Sequence, residues 1–319
     1  MSRSEFKSVF AQEMLKYLDY MVANGHKEVS FRNRLMQFDR FCVEQEILEP
    51  IFTNLHADEW LKRKQNEAST THYSRINAIK QLLMYLNRKG YNVIVTRDIG
   101  FKQTDFQPHI YNDSEIARYF HAVDTYESSR NRKDAIQFPV IFRILYCCGT
   151  RINETLGIRK QDVDLENGII KLYTTKNNCE RYIVLGDDLQ ELIQRFAEKC
   201  FYLLSDEDYI FTTSNGSRMS GDIIYNVHRM FLQHAGIPYF GGGKGPRIHD
   251  WRHTMAVRSF KQMTDAGMDM YVALPILSTY LGHKTIYATE RYLRLTMSIY
   301  PYIEEKFRSK MEKIFGKGV

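Results

Sequence analysis

Apolar residues recur at three- and four-residue intervals through the N-terminal part of the chain, which is the spacing of amphipathic α-helices. The pattern predicts four helices that begin near Ser4, Ser30, Ala57 and Ser69, the last of them ending at Gly90. Isolated helices of this length are marginal in water, so each must bury its apolar face against the others. The pattern therefore predicts a small helical bundle.

The helical pattern stops after Gly90, in a stretch that contains Gly100 and Pro108 and has no regular periodicity. Segments of this kind connect domains. A new helix is then predicted from Asn112, because Glu115 follows at the spacing of a capping box. We therefore predict one domain over residues 1–105 and a second over residues 106–319, and the chain is long enough for two hydrophobic cores.

The second domain is predicted to be mostly helical, with one β-hairpin. Residues 168–174 and 181–185 are rich in β-branched and aromatic side chains, and the intervening residues form the turn. A further short strand is predicted over Asp208 to Phe211, and a helix is predicted to start at Pro275. The fold class is therefore mainly α with a small β-sheet (α+β).

Several broad classes of protein are excluded by simple patterns. No apolar run approaches the roughly 20 residues of a membrane span, and the N-terminus lacks the apolar stretch of a secretory signal. The five cysteines are odd in number and form no CxxC pair, so neither a disulfide framework nor a zinc site is expected. The glycine-rich residues 241–246 follow no predicted strand and open no GK(S/T) helix, so a nucleotide-binding P-loop is not expected. A cytoplasmic protein is expected.

Residues suited to phosphate chemistry are spread along the second domain. The formal net charge of +6 and the pI near 8.9 permit binding to a polyanion without requiring it. Guanidinium groups stay charged and bind two phosphate oxygens at once, whereas imidazole and ammonium groups transfer protons. A tyrosine phenol can be a nucleophile. The candidate residues, in chain order, are Arg151, Lys176, His249, Arg252, His283 and Tyr292.

Each candidate also has an ordinary structural explanation. Arg151 with Glu154 could be a surface ion pair, Lys176 a solvated residue of the hairpin turn, and His283 part of a helix end. The chain has 21 tyrosines, so Tyr292 carries no weight by itself. Order and spacing are more specific: His249 and Arg252 form an HxxR pair, and Tyr292 follows His283 of the YLGH sequence by nine positions.

In this order and spacing, the chain resembles the tyrosine recombinases, also called the phage integrase family. The resemblance implies an N-terminal helical core-binding (SAM-like) DNA-binding domain and a catalytic domain, which together form a C-shaped clamp on DNA. It is weaker in the N-terminal domain, where Thr71, Arg75 and Lys80 are candidate DNA contacts, although a solvated helix face explains them equally well. The segment between Arg252 and His283 is longer than in compact members of the family.

The resemblance also implies a role for each candidate. Arg151 and Arg252 would bind the scissile phosphate, and Lys176 would protonate the leaving 5′ oxygen, with Lys171 as the fallback. Tyr292 would attack phosphorus and form a 3′-phosphotyrosyl bond, whereas Tyr280 and Tyr287 are its competitors.

The histidines and the acid complete the assignment. His249 would accept the tyrosine proton, and His283 would hydrogen-bond the phosphate or position the nucleophile. Glu154 would orient Arg151 or a catalytic histidine, and His253 would support the fold. No metal, ATP or other cofactor is expected.

The expected function is site-specific recombination of double-stranded DNA through a Holliday junction, by a nucleoid-associated homo-tetramer. An accessory directionality factor is a possible partner. The amphipathic segment from Ile303 to Phe315 either packs on its own domain or docks onto a neighbouring protomer. The alternatives are a DNA-relaxing enzyme similar to type IB topoisomerases and a catalytically silent DNA-binding regulator. A metal-dependent nuclease is disfavoured, since the histidines lack neighbouring carboxylates.

Overall fold

The computed structural model describes residues 6–26, 28–100, 107–128, 133–173, 180–241, 245–283 and 285. The chain divides into two compact units, residues 1–105 and 106–319. The described part is mainly helical and contains one three-stranded antiparallel sheet, which confirms the predicted fold class. Within this part, no helix is both long and apolar enough to cross a membrane.

Within its described residues, the N-terminal unit contains four helices around an aromatic core. Phe38 is fully buried, and its ring lies 6.1 Å from that of Phe10 and 5.4 Å from those of Phe52 and Trp60. The four helices are α1 (Ala11–Ala23), α2 (Glu28–Glu44), α3 (Asn54–Leu61) and α4 (Ser69–Arg88).

Two helix starts differ from the prediction. Residues 6–10 are not helical, so α1 begins at Ala11, and residue 4 lies outside the described residues. Helix α3 begins at Asn54, before the predicted Ala57, because Thr53 and His56 form a reciprocal capping box. The Thr53 hydroxyl accepts the His56 N–H at 3.4 Å, and the His56 ring accepts the Thr53 N–H at 3.2 Å.

Arg75 is buried inside the N-terminal unit, with 1% of its surface exposed. Its guanidinium pairs with Glu67 at 2.8 Å, donates to the carbonyls of Trp60 and Lys62 at 2.7 and 2.9 Å, and lies 4.6 Å from the centre of the Trp60 ring. The prediction that Arg75 contacts DNA is therefore wrong, because its donors are used within the bundle. Thr71 is exposed, and Lys80 pairs with the exposed Asp98, so both stay predicted DNA contacts.

The second unit places helices around the small sheet. The predicted start at Asn112 is confirmed, since Asn112 and Glu115 form a capping box at distances of 2.9 and 3.0 Å. The helices are α5 (Asp113–Asp124), α6 (Asp134–Cys147), α7 (Ile152–Thr155), α8 (Asp187–Cys200), α9 (Gly221–His234), α10 (Ile248–Asp265) and α11 (Met270–Leu281).

The predicted hairpin is confirmed as strands β2 (Ile169–Tyr173) and β3 (Glu180–Val184), which pair in antiparallel register. A two-residue strand β1 (Val163–Asp164) pairs with β2 and is too short to have a recognisable sequence pattern. The predicted strand at Asp208 to Phe211 is wrong: it contributes only an isolated bridge between Tyr209 and Arg159.

Helix α6 ends just before Gly149 and the candidate residue Arg151. It is apolar and mostly buried, and it packs against α8 and α10. The chain then turns at Gly149, where φ is +58°, a backbone conformation that favours glycine. A Cβ atom there would lie 3.0 Å from the sulfur of Met255 and 3.2 Å from Leu281, so glycine also allows this turn to approach α10 and α11.

Helix α11 does not start at Pro275 as predicted. Its N-cap is Asp269, whose carboxylate accepts the N–H of Tyr271 at 2.8 Å, and Pro275 lies inside the helix. The helix packs against α10 and ends at Gly282, which adopts φ +65° as the left-handed C-cap. This cap determines the position of the following residue, His283.

Candidate active site

Four of the six candidate catalytic residues lie within the described part of the chain. They come from three segments: Arg151 from the turn before α7, His249 and Arg252 from the first two turns of α10, and His283 from the end of α11. Lys176, Tyr292 and its competitor Tyr287 lie outside the described residues, as does the C-terminal segment.

Arg252 joins these three segments. It is 1% exposed, and its guanidinium donates to the carbonyls of Gly149 and Leu281, both at 2.6 Å. It also lies 2.9 Å from Nε2 of His283. Because a guanidinium can only donate, this Nε2 must be unprotonated and the proton of the neutral ring must be on Nδ1. Arg252 therefore fixes the position and the tautomer of His283.

Arg151 is held by the acid that follows it in the RxxE motif. The carboxylate of Glu154 accepts the backbone N–H of Arg151 at 2.9 Å and its Nη1 at 2.6 Å, which caps the single turn of α7. The Arg151 side chain is still 38% exposed, whereas that of Glu154 is 4% exposed. An exposed guanidinium with a buried acid behind it is suited to binding a phosphate from solution.

Glu154 has a second partner, Arg181 of β3, which sequence analysis did not single out. Two parallel hydrogen bonds of 3.0 and 2.8 Å connect the Arg181 guanidinium to the two carboxylate oxygens. Burial alone would raise the pKa of Glu154, but the hydrogen bonds and charges of Arg181 and then Arg151 lower it to about 2. Glu154 is therefore ionised at neutral pH.

His249 and His253 share one face of α10. The helix begins here because the Asp250 carboxylate accepts the N–H of Arg247 at 2.9 Å. His249 is exposed, and its ring stands perpendicular to that of His253 with 5.2 Å between the ring centres. His253, the position predicted to support the fold, is 5% exposed.

All three imidazoles are biased towards their neutral form. Burial, the neighbouring His249 and the charge of Arg252 lower the pKa of His253 to about 3. Burial and the charges of Arg252 and Arg151 lower the pKa of His283, also to about 3. Partial desolvation and the same two arginines lower the pKa of His249. His249 is therefore unprotonated at neutral pH, which is the form that can accept a proton.

These shifts predict a loss of stability in mild acid. The pKa of His253 and that of His283 are near 3 in the folded protein but 6.5 without the fold, so the unfolded state binds more protons between these values. Stability should fall as pH drops below 6.5, by at most about 1.4 kcal/mol per pH unit for each group. Glu154, with a lowered pKa, adds stability that is lost only between pH 4.5 and about 2.

Urea unfolding at pH 7.5, 6.5, 5.5 and 5.0 measures this dependence. The free energy of unfolding should be nearly constant between the first two values and then decrease, and His253→Gln should have the shallower decrease. An equal slope in the two proteins would contradict the assignment of a neutral, buried His253.

The fallback Lys171 and the competing nucleophile Tyr280 are both disfavoured. Lys171 lies on the sheet face opposite to Arg181, because the register partner of Arg181 is Leu172, and its ammonium pairs with Glu180 at 2.9 Å. Tyr280 packs against the core of the second unit, and burial raises the pKa of its phenol, which disfavours phenolate.

Within the described ranges, no three His, Cys, Asp or Glu side chains are grouped to hold a metal ion.

Comparisons with known proteins identify what this chain is similar to. Residues 112–298 match the model of the phage integrase family. A putative integrase/recombinase of Sinorhizobium fredii is 23% identical over 297 residues, which cover 90% of this chain and 93% of that protein. The XerH site-specific recombinase, in a post-cleavage complex with a palindromic difH substrate, matches with a TM-score of 0.67 at 17% identity, covering 88% of this chain and 80% of that one.

A lambda integrase tetramer bound to a Holliday junction matches with a TM-score of 0.61 at 13% identity, covering 90% of this chain and 78% of that one. At such identities, the likeness to solved structures shows a shared fold.

Proposed function

The chain belongs to the phage integrase family, the tyrosine recombinases, and we propose that it is a site-specific DNA recombinase that works through a 3′-phosphotyrosyl intermediate. The observation that carries the proposal is that Arg151, His249, Arg252 and His283 come together from three segments. Arg252, on one segment, is hydrogen-bonded to the other two, at Gly149 and at Leu281 and His283. Two guanidiniums and two neutral imidazoles form a site for a phosphodiester, and neither ATP nor a metal ion is required in the proposed reaction.

In the proposed reaction, the phenol oxygen of Tyr292 attacks phosphorus and the bond between phosphorus and the 5′ oxygen breaks. His249 accepts the phenol proton, and Lys176 gives a proton to the leaving 5′ oxygen. Arg151 and Arg252 stabilise the charge that develops on the non-bridging oxygens, and His283 hydrogen-bonds the phosphate or positions the nucleophile. The phosphotyrosyl ester conserves the energy of the broken bond, so a 5′ hydroxyl can attack it and rejoin a strand.

The proposed partners are two duplex DNA sites and three further copies of this chain. Lambda integrase forms a tetramer on a Holliday junction, and a homo-tetramer is the corresponding proposal here. The amphipathic segment from Ile303 to Phe315 is proposed to connect the protomers. Thr71 and Lys80 are proposed to contact the DNA backbone, and an accessory directionality factor and association with the nucleoid belong to the same proposal.

Covalent capture of DNA tests this function without knowledge of the target site. The protein is incubated with nicked duplexes that carry a randomised core, in which the short cleaved strand diffuses away and traps the intermediate. Protein-linked DNA is then recovered under denaturing conditions and sequenced. We expect a defined sequence to be enriched, with the same yield in EDTA. Absence of covalent DNA in every pool, or abolition by EDTA, would contradict the proposal.

The general acid is tested by comparing the two lysines of the hairpin. Lys176→Ala should slow adduct formation by about 10²–10⁴-fold, the usual contribution of a general acid. Lys171→Ala should stay within about threefold of the wild type, because Lys171 lies on the sheet face opposite to Arg181 and its ammonium pairs with Glu180.

A second test uses a captured duplex with sulfur in place of the leaving 5′ oxygen and compares the rates of Lys176→Ala on the sulfur and oxygen substrates. A thiolate leaves without protonation, so this substrate should restore the rate of Lys176→Ala. A defect that persists with the sulfur substrate would show that Lys176 is not the general acid.

A further inference from the structure

Arg181 has a buried position that is unusual for an arginine on a strand. Side chains alternate along β3, so Arg181 lies on the same face as the buried Ile183, opposite Leu172 of β2. Its side chain is 10% exposed. A buried charge is costly unless it is paired and hydrogen-bonded. The position therefore requires a partner, and that partner is Glu154.

The hydrogen bonds to Glu154 use all of its acceptor positions. One oxygen accepts from Nη1 of Arg151 at 2.6 Å and from Nη1 of Arg181 at 3.0 Å. The other accepts from the backbone N–H of Arg151 at 2.9 Å and from Nη2 of Arg181 at 2.8 Å. A carboxylate has about four lone-pair positions, and all are occupied here. Glu154 therefore holds Arg151 in one orientation.

The charges of this cluster also depend on Arg181. Two guanidiniums and one carboxylate leave a net charge of +1, whereas Arg151 and Glu154 alone would be neutral as a pair. The exposed member is Arg151, at 38% of its side chain, so the remaining positive charge faces the surface at that residue. Arg181 thus preserves the attraction of Arg151 for a phosphate.

Arg181 also contacts the turn before His283. A Cβ atom at Gly282 would lie 3.1 Å from Nη1 and 3.3 Å from Cδ of Arg181, so the arginine packs directly against this glycine. Gly282 is the left-handed C-cap of α11. Arg181 therefore connects the hairpin to Arg151 through Glu154, and to His283 through Gly282.

We propose that Arg181 is a positioning residue for strand cleavage, which holds Glu154, Arg151 and the Gly282 turn in place without contacting DNA itself. This inference rests on the proposed function. It predicts a loss in the rate of the chemical step, with DNA affinity largely unchanged because the scissile phosphate is only one of the many phosphates that contribute to DNA binding.

Arg218 offers a matched control at the other end of the same helix. Its guanidinium donates to the carbonyls of Leu156 and Asn153 at 2.8 and 2.9 Å, so it supports α7 without contacting Glu154. Arg218→Gln thus removes an arginine that contacts α7 and leaves the Glu154 cluster intact.

The experiment measures single-turnover adduct formation on a nicked duplex captured by the wild type, together with DNA affinity and the thermal midpoint. Arg181→Gln and Arg181→Lys should form the adduct about 100-fold more slowly, the cost of a displacement near 1 Å, with DNA affinity within about threefold of the wild type. Arg218→Gln should form it at a rate within about threefold of the wild type. Loss of the Arg181 charge should also move the acid limb of the rate to higher pH, because that charge helps to lower the pKa of His283.

The double variant Glu154→Gln/Arg181→Gln separates positioning from folding. It removes both buried charges, so its thermal midpoint should recover relative to Arg181→Gln, while adduct formation stays slow. Recovery of both, or a wild-type rate in Arg181→Gln, would overturn the inference. Failure of the wild type to form an adduct with any duplex would instead overturn the proposed function, and the inference with it.

Discussion

Replacement of Tyr292 by Phe should abolish the covalent adduct with DNA while leaving DNA binding intact. The change removes one oxygen atom, which in the proposed reaction is the nucleophile. In another covalent enzyme, loss of the nucleophile costs on the order of 10⁶-fold in rate, so the adduct should fall below detection. The measurement is the yield of protein–DNA conjugate on a captured nicked duplex, with a gel-shift titration of the same duplex.

The competing tyrosines provide matched controls for this prediction. Tyr287→Phe and Tyr280→Phe remove the same oxygen at nearby positions and should keep the adduct. Peptide mapping of the wild-type conjugate should place the nucleotide on Tyr292. Adduct formation by Tyr292→Phe, or its loss in Tyr287→Phe, would assign the nucleophile elsewhere.

Much of the candidate site could be predicted from the sequence because its residues lie in short, ordered motifs. The HxxR pair lies on the first two turns of one helix, α10, and the glycine of the YLGH motif ends another. Local spacing therefore determines where these side chains lie. The RxxE pair forms a single helical turn. In each case the geometry is local, and a periodicity of three to four residues is sufficient to describe it.

Arg75 and Arg181 show where sequence patterns were insufficient. Arg75 is in phase with the buried Ile79 and Leu82 of α4, and Arg181 is in phase with Ile183 of β3, so both registers indicate burial. Neither register identifies the partner. Glu67 lies eight residues from Arg75 across a turn, and Glu154 lies 27 residues from Arg181 on another element. Only the tertiary fold brings these charges together.

The predicted helix start at Pro275 is wrong because a second local signal, the N-cap, lies upstream of it. Proline is favoured in the first turn of a helix, where its missing N–H costs nothing. Here the cap is the more local signal of Asp269, whose carboxylate binds the N–H of Tyr271 at 2.8 Å. Proline in the second turn removes one backbone hydrogen bond, and packing of α11 against α10 offsets this cost.

The two arginines of the site should both be required for cleavage but should differ in their effect on stability. Arg151→Gln and Arg252→Gln should each slow adduct formation by about 10²–10³-fold, the usual effect of losing one donor to a developing oxyanion. Arg151 is partly exposed, and Glu154 keeps its two bonds to Arg181 without it. Its replacement should therefore change the free energy of unfolding by less than about 1 kcal/mol.

Arg252→Gln should in addition lose roughly 3 kcal/mol of stability, because the carbonyls of Gly149 and Leu281 lose a charged donor in a buried site. Urea unfolding of both variants beside the adduct assay tests the contrast, and Arg252→Lys, which keeps the charge, should destabilise less. Equal stability losses in Arg151→Gln and Arg252→Gln would contradict it. In that case Arg252 would not be the residue that joins the three segments, and its charge would act only on the phosphate.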